Sequence, residues 1–192
     1  MPQLKMIFNA VENTIPELTI ADGYSLRTVQ DSELEQYNEL RKSVGFGEWD
    51  VEYLQKYRTK VLNDGIFVIV ENSSGKFCAA ASAETTDMPE FPQLGVLGWV
   101  MCHPDHRGHH LGKSVSICAM HKLYQHKYRV FSLLTDDFRV PAVKTYLNLK
   151  WQPWLYLEDM QERWQALAEK LKMSWDDLKI LPKKVDFTPM QS

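Results

Sequence analysis

The sequence predicts one α/β (α+β) domain in which a mixed, mostly antiparallel central sheet is flanked by helices, with an extra helix at the C-terminus. Three observations support this prediction. The chain has 192 residues, of which 44% are hydrophobic, so it can bury a sizeable core and fits one domain better than two. Consecutive apolar runs separated by turns in the middle of the chain are typical of an antiparallel meander. Segments of helical periodicity stand on both sides of that meander.

The first third of the chain is predicted to hold one strand and two helices. Residues 1–22 have no clear period and are interrupted by prolines, so we expect an N-terminal arm that lies on the domain. Residues 24–29 alternate in polarity after an Asp-Gly turn, which is typical of a short strand. Residues 31–43 and 51–62 place apolar side chains on one face, which predicts two helices, the second ended by an Asn-Asp-Gly turn.

The middle of the chain is predicted to form the meander. Residues 66–70 are an uninterrupted apolar run rich in β-branched side chains, which is typical of a strand buried on both faces. Turn residues separate this run from a strand at 77–86, and a proline-containing connection leads to a third strand at 95–102. We therefore expect three antiparallel strands paired in chain order.

The last part of the chain alternates helices and strands. Apolar periodicity predicts helices at 111–125 and 139–149, each followed by a strand, at 130–134 and 154–157. Residues 159–192 are predicted to form a C-terminal helix and a tail packed on the same domain. The apolar residues that predict this helix, at three- and four-residue intervals, are Met160, Trp164, Leu167 and Leu171.

Charge and cysteine content exclude several classes of partner. The formal net charge is −3 and the pI ≈ 6.1, so no global field attracts nucleic acid or an anionic membrane. The three cysteines lack CxxC spacing, which predicts reduced thiols in a cytoplasmic protein. Charged residues interrupt the N-terminal apolar residues, so neither a signal peptide nor a membrane span is expected.

The segment LGWVMCHPDHRGHHLGKSV, residues 97–115, carries the strongest functional signal. A predicted strand runs into a short loop with Arg107, Gly108 and Gly112, and this loop opens into a helix. Such a junction directs backbone N–H groups and the positive end of the helix dipole at one place, which favours an anion. Glycine lets a diphosphate approach these amides, since a Cβ would hold it away.

This block resembles the acetyl-CoA motif of the GNAT superfamily of acetyl-CoA-dependent N-acetyltransferases. The family motif reads Arg or Gln, two residues, Gly, one residue, then Gly or Ala, often preceded by His-Pro. Arg107 and Gly112 match its ends, and His110 stands where the central Gly is usual. The resemblance implies that the loop binds the diphosphate of the co-substrate acetyl-CoA. The residues of this loop are Arg107, Gly108, His109, His110, Leu111, Gly112 and Lys113.

A second block, LLTDDFRVPAVKTYLNLKWQPW, resembles the late strand and helix of the same family. Ala142 and Tyr146 match, and Leu149-Lys150-Trp151 stands in place of Leu-Gly-Phe. Together the two blocks look closest to mycothiol-synthase-like members. The resemblance implies that residues 23–158 form the acetyl-CoA-binding N-acetyltransferase domain.

The resemblance also implies a reaction. The acetyl group of acetyl-CoA passes to a primary amine by direct attack through a tetrahedral intermediate. The third meander strand should splay from the strand at 130–134 and expose backbone groups to the pantetheine arm, lined by Val100, Met101 and Cys102. Tyr146 is the candidate acid for the leaving thiolate, with a core aromatic as the structural alternative.

The general base and the acceptor pocket are less defined by the sequence. Glu84 is the candidate base, although a strand carboxylate also serves as a salt-bridge partner, and a chain of water molecules is an alternative base. The connection between the first two helices often builds the acceptor pocket in this family. Phe46 and Trp49 there could hold a small-molecule or peptide amine, or could instead form an apolar plug over the core. A homodimer is left open.

Two other classes of function compete with an acetyltransferase. Four histidines, at positions 103, 106, 109 and 110, lie near Cys102, so a metal site is one alternative. The proline and the loop should spread these side chains, and no metal is expected. The other competitor is a non-catalytic domain that binds acyl-CoA as a sensor, because His110 departs from the motif.

Overall fold

One sheet of seven strands crosses the computed structural model, which describes residues 1–86, 88 and 90–187. Its strands in chain order are β1 (Leu4–Asn9), β2 (Tyr24–Thr28), β3 (Val61–Glu71), β4 (Phe77–Thr85), β5 (Leu94–Cys102), β6 (Val130–Thr135) and β7 (Gln152–Trp154). Across the sheet the order is β2-β3-β4-β5-β6-β1-β7. Among the strand pairs of the described residues, β5 and β6 alone run parallel. The predicted mixed, mostly antiparallel sheet is confirmed.

Helices cover both faces of this sheet. They are α1 (Leu34–Ser43), α2 (Val51–Arg58), α3 (Leu111–Gln125), α4 (Val140–Asn148) and α5 (Met160–Leu171), and a 3₁₀ turn at Asp31–Glu33 leads into α1. Buried residues of α1 and α2 pack in one hydrophobic cluster with β3 and β4. Buried residues of α3, α4 and α5 pack in a second cluster on the opposite face. The extra C-terminal helix is thus part of the second layer.

Strand β4 shows how the two layers are separated. Ala79, Ala81 and Ala83 belong to the cluster under α3, and Ala80 belongs to the cluster under α1 and α2. Successive side chains of a strand point to opposite faces, so this strand contributes to both cores. The next positions on the Ala80 face are Ser82 and Glu84, and they bring polar groups to the α2 side of the sheet.

The N-terminal segment differs from the expected arm. Residues 4–9 form β1, an internal strand that pairs with β6 on one side and β7 on the other. Leu4, Met6 and Phe8 are fully buried because they fill the core beneath α4 and α5. The strand was missed because both its partners lie far away in the chain. Beyond β1 the chain follows α3, where the Ser114 hydroxyl donates to the carbonyl of Thr19 at 2.7 Å.

The second predicted helix also ends earlier than expected. Helix α2 stops at Arg58, and Val61 already lies in β3 opposite Glu84 of β4. A Cβ on Gly65 would lie 2.8 Å from the carbonyl oxygen of Ala83, so the two strands approach closely there. Spacing of apolar residues alone does not distinguish a last helical turn from an opening strand.

The C-terminal tail is packed up to residue 187. Leu181 bridges to Trp154, and the ring of Phe187 meets that of Trp154 edge-on at 5.2 Å. Phe187 is buried in a third, smaller cluster. Residues 188–192 of the predicted tail lie outside the described residues. No helix in the described ranges is long and apolar enough to span a bilayer.

Candidate active site

A cleft opens where β5 and β6 separate. The two strands pair only from Leu94 to Val96 on β5 and from Val130 to Ser132 on β6. Beyond these residues they diverge, as expected for the third meander strand. The resulting cleft has a volume of ≈ 1210 Å³ and is lined by residues 96–102 on one side and 134–136 on the other. Backbone groups on this edge of β5 are therefore available to a ligand.

A β-bulge at Trp99 shapes the β5 wall of the cleft. The register against β4 shifts between Ala80 and Ser82, and Trp99 has a φ of 46°. A bulge adds one residue to a strand and so shifts the alternation of its side chains. Leu97 and Val100 contact the cluster under α3, and Trp99 and Met101 contact the cluster under α1 and α2. The bulge thus directs the Trp99 ring toward α2.

The loop before α3 presents amides that lack a backbone partner to one end of the cleft, where the Gly112 amide meets the Cys102 sulfur. Gly108 has a φ of 90°, and His110, which caps α3, has a φ of 59°. The first backbone bond of the helix runs from the Ser114 amide to the His110 carbonyl. Within the described chain no backbone carbonyl accepts from the N–H groups of residues 108–113. Amides at a helix N-terminus that lack a backbone partner favour the binding of an anion.

Two cations flank these amides. Arg107 and Lys113 both line the cleft, and neither pairs with an acidic side chain among the described residues. At the same end a Cβ added to Gly112 would lie 3.7 Å from Cβ of Cys102, so the start of α3 abuts the end of β5. Burial raises the pKa of the Cys102 thiol, which therefore stays protonated at neutral pH.

The structure places nine of the ten predicted cofactor-binding residues on the cleft. They are Val100, Met101, Cys102, Arg107, Gly108, His110, Leu111, Gly112 and Lys113. His109 is the exception, because its ring turns away and lies 5.5 Å from the ring of Tyr24. There it lines a separate pocket of ≈ 520 Å³ with Asp22 and Glu71.

The four histidines do not all meet at one point, although the rings of His103 and His106 lie 5.6 Å apart. His106 Nδ1 lies 3.0 Å from the Tyr24 hydroxyl, and His103 accepts from the amide of Asp105. His110 faces the cleft instead. Over the residues that the structure describes, no three His, Cys, Asp or Glu side chains are arranged to hold a metal ion.

Tyr146 of α4 reaches the cleft from the β6 side. Its side chain is 5% exposed and packs against Trp151, yet it lines the cleft. Burial raises the pKa of its phenol well above the ordinary value, and the nearby Arg139 opposes this only in part. The hydroxyl is therefore protonated at neutral pH. A protonated phenol is a hydrogen-bond donor, and Tyr146 is one of the residues that line the cleft.

Glu84 of β4 lies on the opposite wall. Its Oε1 lies 2.6 Å from the Tyr57 hydroxyl of α2 and 2.6 Å from Oγ of Ser82. Tyr57 and Ser82 also lie 2.6 Å from each other. This carboxylate is thus held at the cleft by two hydroxyl groups.

The expected acceptor residues separate in the structure. Phe46 lines the cleft and meets the Trp99 ring edge-on at 5.3 Å. Trp49 is only 5% exposed and lies behind Trp99, with the Arg41 guanidinium 3.9 Å from its ring centroid. Trp49 therefore packs the core, the alternative left open by the sequence, because its large ring fills the space between α1 and α2.

Several cleft residues were not singled out from the sequence. Tyr57 and Gly98 of the cleft and the buried Ser82 surround the Glu84 carboxylate, and the Trp99 ring meets the rings of both Tyr57 and Phe46. Gly98 stood within the motif segment, but its role becomes visible only when β4 is placed beside β5. Lys56, Lys60 and Phe138 also line this end of the cleft.

Solved structures with a similar fold include GCN5-related and other N-acetyltransferases. A GCN5-related N-acetyltransferase from Sphaerobacter thermophilus has a TM-score of 0.60 and 16% identity over 80% of this chain and 49% of that one. A tandem GNAT protein from the clavulanic acid biosynthesis pathway has a TM-score of 0.61 and 18% identity over 80% and 50%. The ribosomal-protein-S18-alanine N-acetyltransferase from Escherichia coli has a TM-score of 0.53 and 14% identity over 66% and 76%.

These structural similarities show that this chain has the GNAT fold. The chain spans about half the length of the first two of these structures. No protein-family model matches the sequence, and no curated protein matches it. The structure and these similarities therefore show the class of fold and not the activity.

Proposed function

We propose that this protein is an N-acetyltransferase that moves the acetyl group of acetyl-CoA to a primary amine by direct attack. The observation that carries this proposal is the cleft between β5 and β6, which ends at the amides of residues 108–113 that lack a backbone partner. A thioester on a long arm with a diphosphate at its end fits both features. The resemblance of the motif and the fold of the solved structures support the same conclusion.

The cleft offers a binding mode for acetyl-CoA. The diphosphate would bind the amides before α3, with Arg107 and Lys113 adding positive charge. The pantetheine arm would lie along Val100, Met101 and Cys102, where its amides can pair with the free edge of β5. This mode brings the thioester to the part of the cleft between Glu84 and Tyr146, both of which line it.

The site residues can carry each proton of the reaction. The amine nitrogen attacks the thioester carbon and forms the C–N bond, and the carbonyl electron pair moves to oxygen, where a β5 amide stabilises it. Glu84 takes the proton that the amine loses. Collapse of the intermediate re-forms the C=O bond and breaks the C–S bond, and Tyr146 donates its proton to the leaving sulfur. Solvent then restores both groups.

An acyl-CoA sensor with the same cleft is the competing function. A sensor needs the diphosphate site and the channel for the acyl arm, but it gains nothing from a carboxylate held among hydroxyls beside the thioester. The hydrogen-bonded Glu84 therefore favours an enzyme. Burial of a polar network is costly unless it is satisfied, and functional sites are where such networks concentrate.

The acceptor is proposed to be a small-molecule or peptide amine that enters beside Phe46 and Trp99. Their rings form an apolar wall of the cleft next to Glu84 and the rim lysines Lys56 and Lys60. We place the protein in a reducing cytoplasm, because Cys78, Cys102 and Cys118 are free thiols.

A thiol-release assay with acetyl-CoA across a library of amines tests the proposal. We expect CoA release to depend on both the enzyme and one class of amine, with a matching acetylated product in the mass spectrum. The Glu84→Gln variant is the matched control, since it keeps the shape of the side chain and removes the base. CoA binding without amine-dependent release in the whole library would support the sensor instead.

A further inference from the structure

Three side-chain oxygens meet on the α2 side of the sheet. Oε1 of Glu84, Oγ of Ser82 and the Tyr57 hydroxyl form a triangle in which each separation is 2.6 Å. Tyr57 is 6% exposed and Ser82 is fully buried, so water has little access to their two hydroxyl groups. This cluster, Tyr57-Ser82-Glu84, borders the cleft at the bulge of β5.

The backbone explains why the three groups meet. Ser82 and Glu84 stand two residues apart on β4, so their side chains share one face of the sheet. Gly98 of β5 lies opposite Ser82 on that face. A Cβ there would lie 1.6 Å from Oε1 of Glu84, so the carboxylate rests directly on the glycine. Tyr57, in the last turn of α2, closes the cluster from above.

The hydroxyl protons have a preferred direction. Burial and the adjacent Glu84 carboxylate both raise the pKa of Tyr57, so its phenol keeps its proton under all physiological conditions. A carboxylate only accepts, and a hydroxyl can donate. Tyr57 and Ser82 therefore both donate toward Oε1. Two hydroxyl groups that donate to the same oxygen fix the plane of the carboxylate. They thereby also fix the direction in which its second oxygen points.

We propose that Tyr57 and Ser82 are positioning residues that hold the Glu84 carboxylate in the orientation in which it accepts the proton of the amine. This inference rests on the proposed acetyl transfer and goes beyond it by assigning an orienting pair to the base. Gly98 completes this arrangement, since its lack of a side chain leaves the space that the carboxylate occupies. Tyr57 and Ser82 act through Glu84 and do not touch the reacting atoms.

A double-mutant cycle measured on kcat/KM for the amine tests whether Tyr57 and Ser82 act through Glu84. Tyr57→Phe should lower kcat/KM about tenfold in the wild-type background, because one hydrogen bond to a charged group is lost. In the Glu84→Gln background the same change should alter kcat/KM by less than about twofold. Ser82→Ala should behave in the same way. KM for acetyl-CoA should stay unchanged in each single variant.

A buried tyrosine of α1 supplies the matched control. Tyr37→Phe removes a phenol from the same hydrophobic cluster but from a side chain that does not line the cleft, so kcat/KM should stay at the wild-type value. Equal losses for Tyr57→Phe in both backgrounds would overturn the proposal, and so would wild-type turnover in that variant. Wild-type protein without any amine acetylation would overturn the proposed function itself, together with this inference.

Discussion

Gly98 of β5 lies directly against the carboxylate of Glu84 of β4. The carboxylate fits there because glycine has a hydrogen atom in place of a side chain. An ideal Cβ on Gly98 would lie 1.6 Å from Oε1 of Glu84 and 2.5 Å from its Cδ. A glycine in a strand interior weakens the strand and often marks a place where another group approaches closely. In this protein the approaching group is the carboxylate that we assign as the base. Glycine at position 98 is therefore required by the site more than by the fold.

The first prediction concerns this glycine. Gly98→Ala should displace the Glu84 carboxylate and lower kcat by about 100-fold or more, the contribution of a general base. Crowding should also lower the free energy of unfolding by about 1–3 kcal/mol. Gly47→Ala is the stability control, since no atom lies within 4 Å of its added Cβ. Wild-type kcat in Gly98→Ala would show that the carboxylate position is immaterial.

The second prediction concerns the residue that caps α3. His110 adopts a φ of 59°, a conformation that is costly for a side chain with a Cβ. His110→Gly should raise the free energy of unfolding by up to about 1 kcal/mol and the Tm by about 2–4 °C. His109→Gly is the comparison, because His109 lacks a positive φ and its ring contacts Tyr24. A loss of stability in both variants would contradict the assignment.

The third prediction separates catalysis from binding. Tyr146→Phe removes the phenol that is proposed to protonate the leaving thiolate. We expect kcat to fall roughly 100-fold while the Kd for CoA stays within about twofold. Stopped-flow measurement of CoA release and a calorimetric titration supply the two values. If kcat is unchanged, the Tyr146 ring serves only to pack against Trp151.

The fourth prediction concerns the cations at the diphosphate site. Arg107→Ala and Lys113→Ala should each weaken CoA binding about tenfold, because each removes a charged partner of the diphosphate. Pantetheine lacks the diphosphate, so its affinity should not change. Lys122→Ala removes a lysine from the last turn of the same helix and should leave CoA binding intact. Equal effects on CoA and pantetheine would place the diphosphate elsewhere.

The fifth prediction concerns stability at alkaline pH. Burial raises the pKa of Tyr37, Tyr57 and Tyr146 above the ordinary value of 10.0. Unfolded chains lose these phenolic protons near pH 10, whereas the folded protein keeps them. The contribution to stability is therefore complete below pH 10 and is lost as the pH rises beyond it. The free energy of unfolding in urea, measured across this pH range, should show the loss. In Tyr37→Phe this free energy should decrease less steeply with pH.

Local patterns predicted the elements that carry the proposed cofactor site. The strand that ends at Cys102, the loop with Arg107 and Gly108 and the helix from Leu111 are contiguous in the chain, so their spacing in sequence is also their arrangement in space. His110 stands at the glycine position of the motif and has a positive φ, a conformation that glycine adopts without steric cost. Sequence reasoning is strongest for such contiguous sites.

The parts that were missed depend on contacts between distant segments. Strand β1 pairs with β6 and β7, and no pattern within residues 1–22 indicates either of these partner strands. Tyr57 and Ser82 belong to a helix and a strand that meet only after β3 and β4 are paired. Trp49 and Phe46 look alike in the sequence, but packing of α1 on the sheet buries one and exposes the other to the cleft.

A crystal structure of this protein with CoA tests the central claim most directly. The diphosphate should lie within hydrogen-bond distance of the amides of residues 108–113, and the pantetheine arm should run along residues 97–102 with its sulfur between Glu84 and Tyr146. CoA bound away from the β5–β6 opening, or density for CoA that leaves those amides without a partner, would contradict the account.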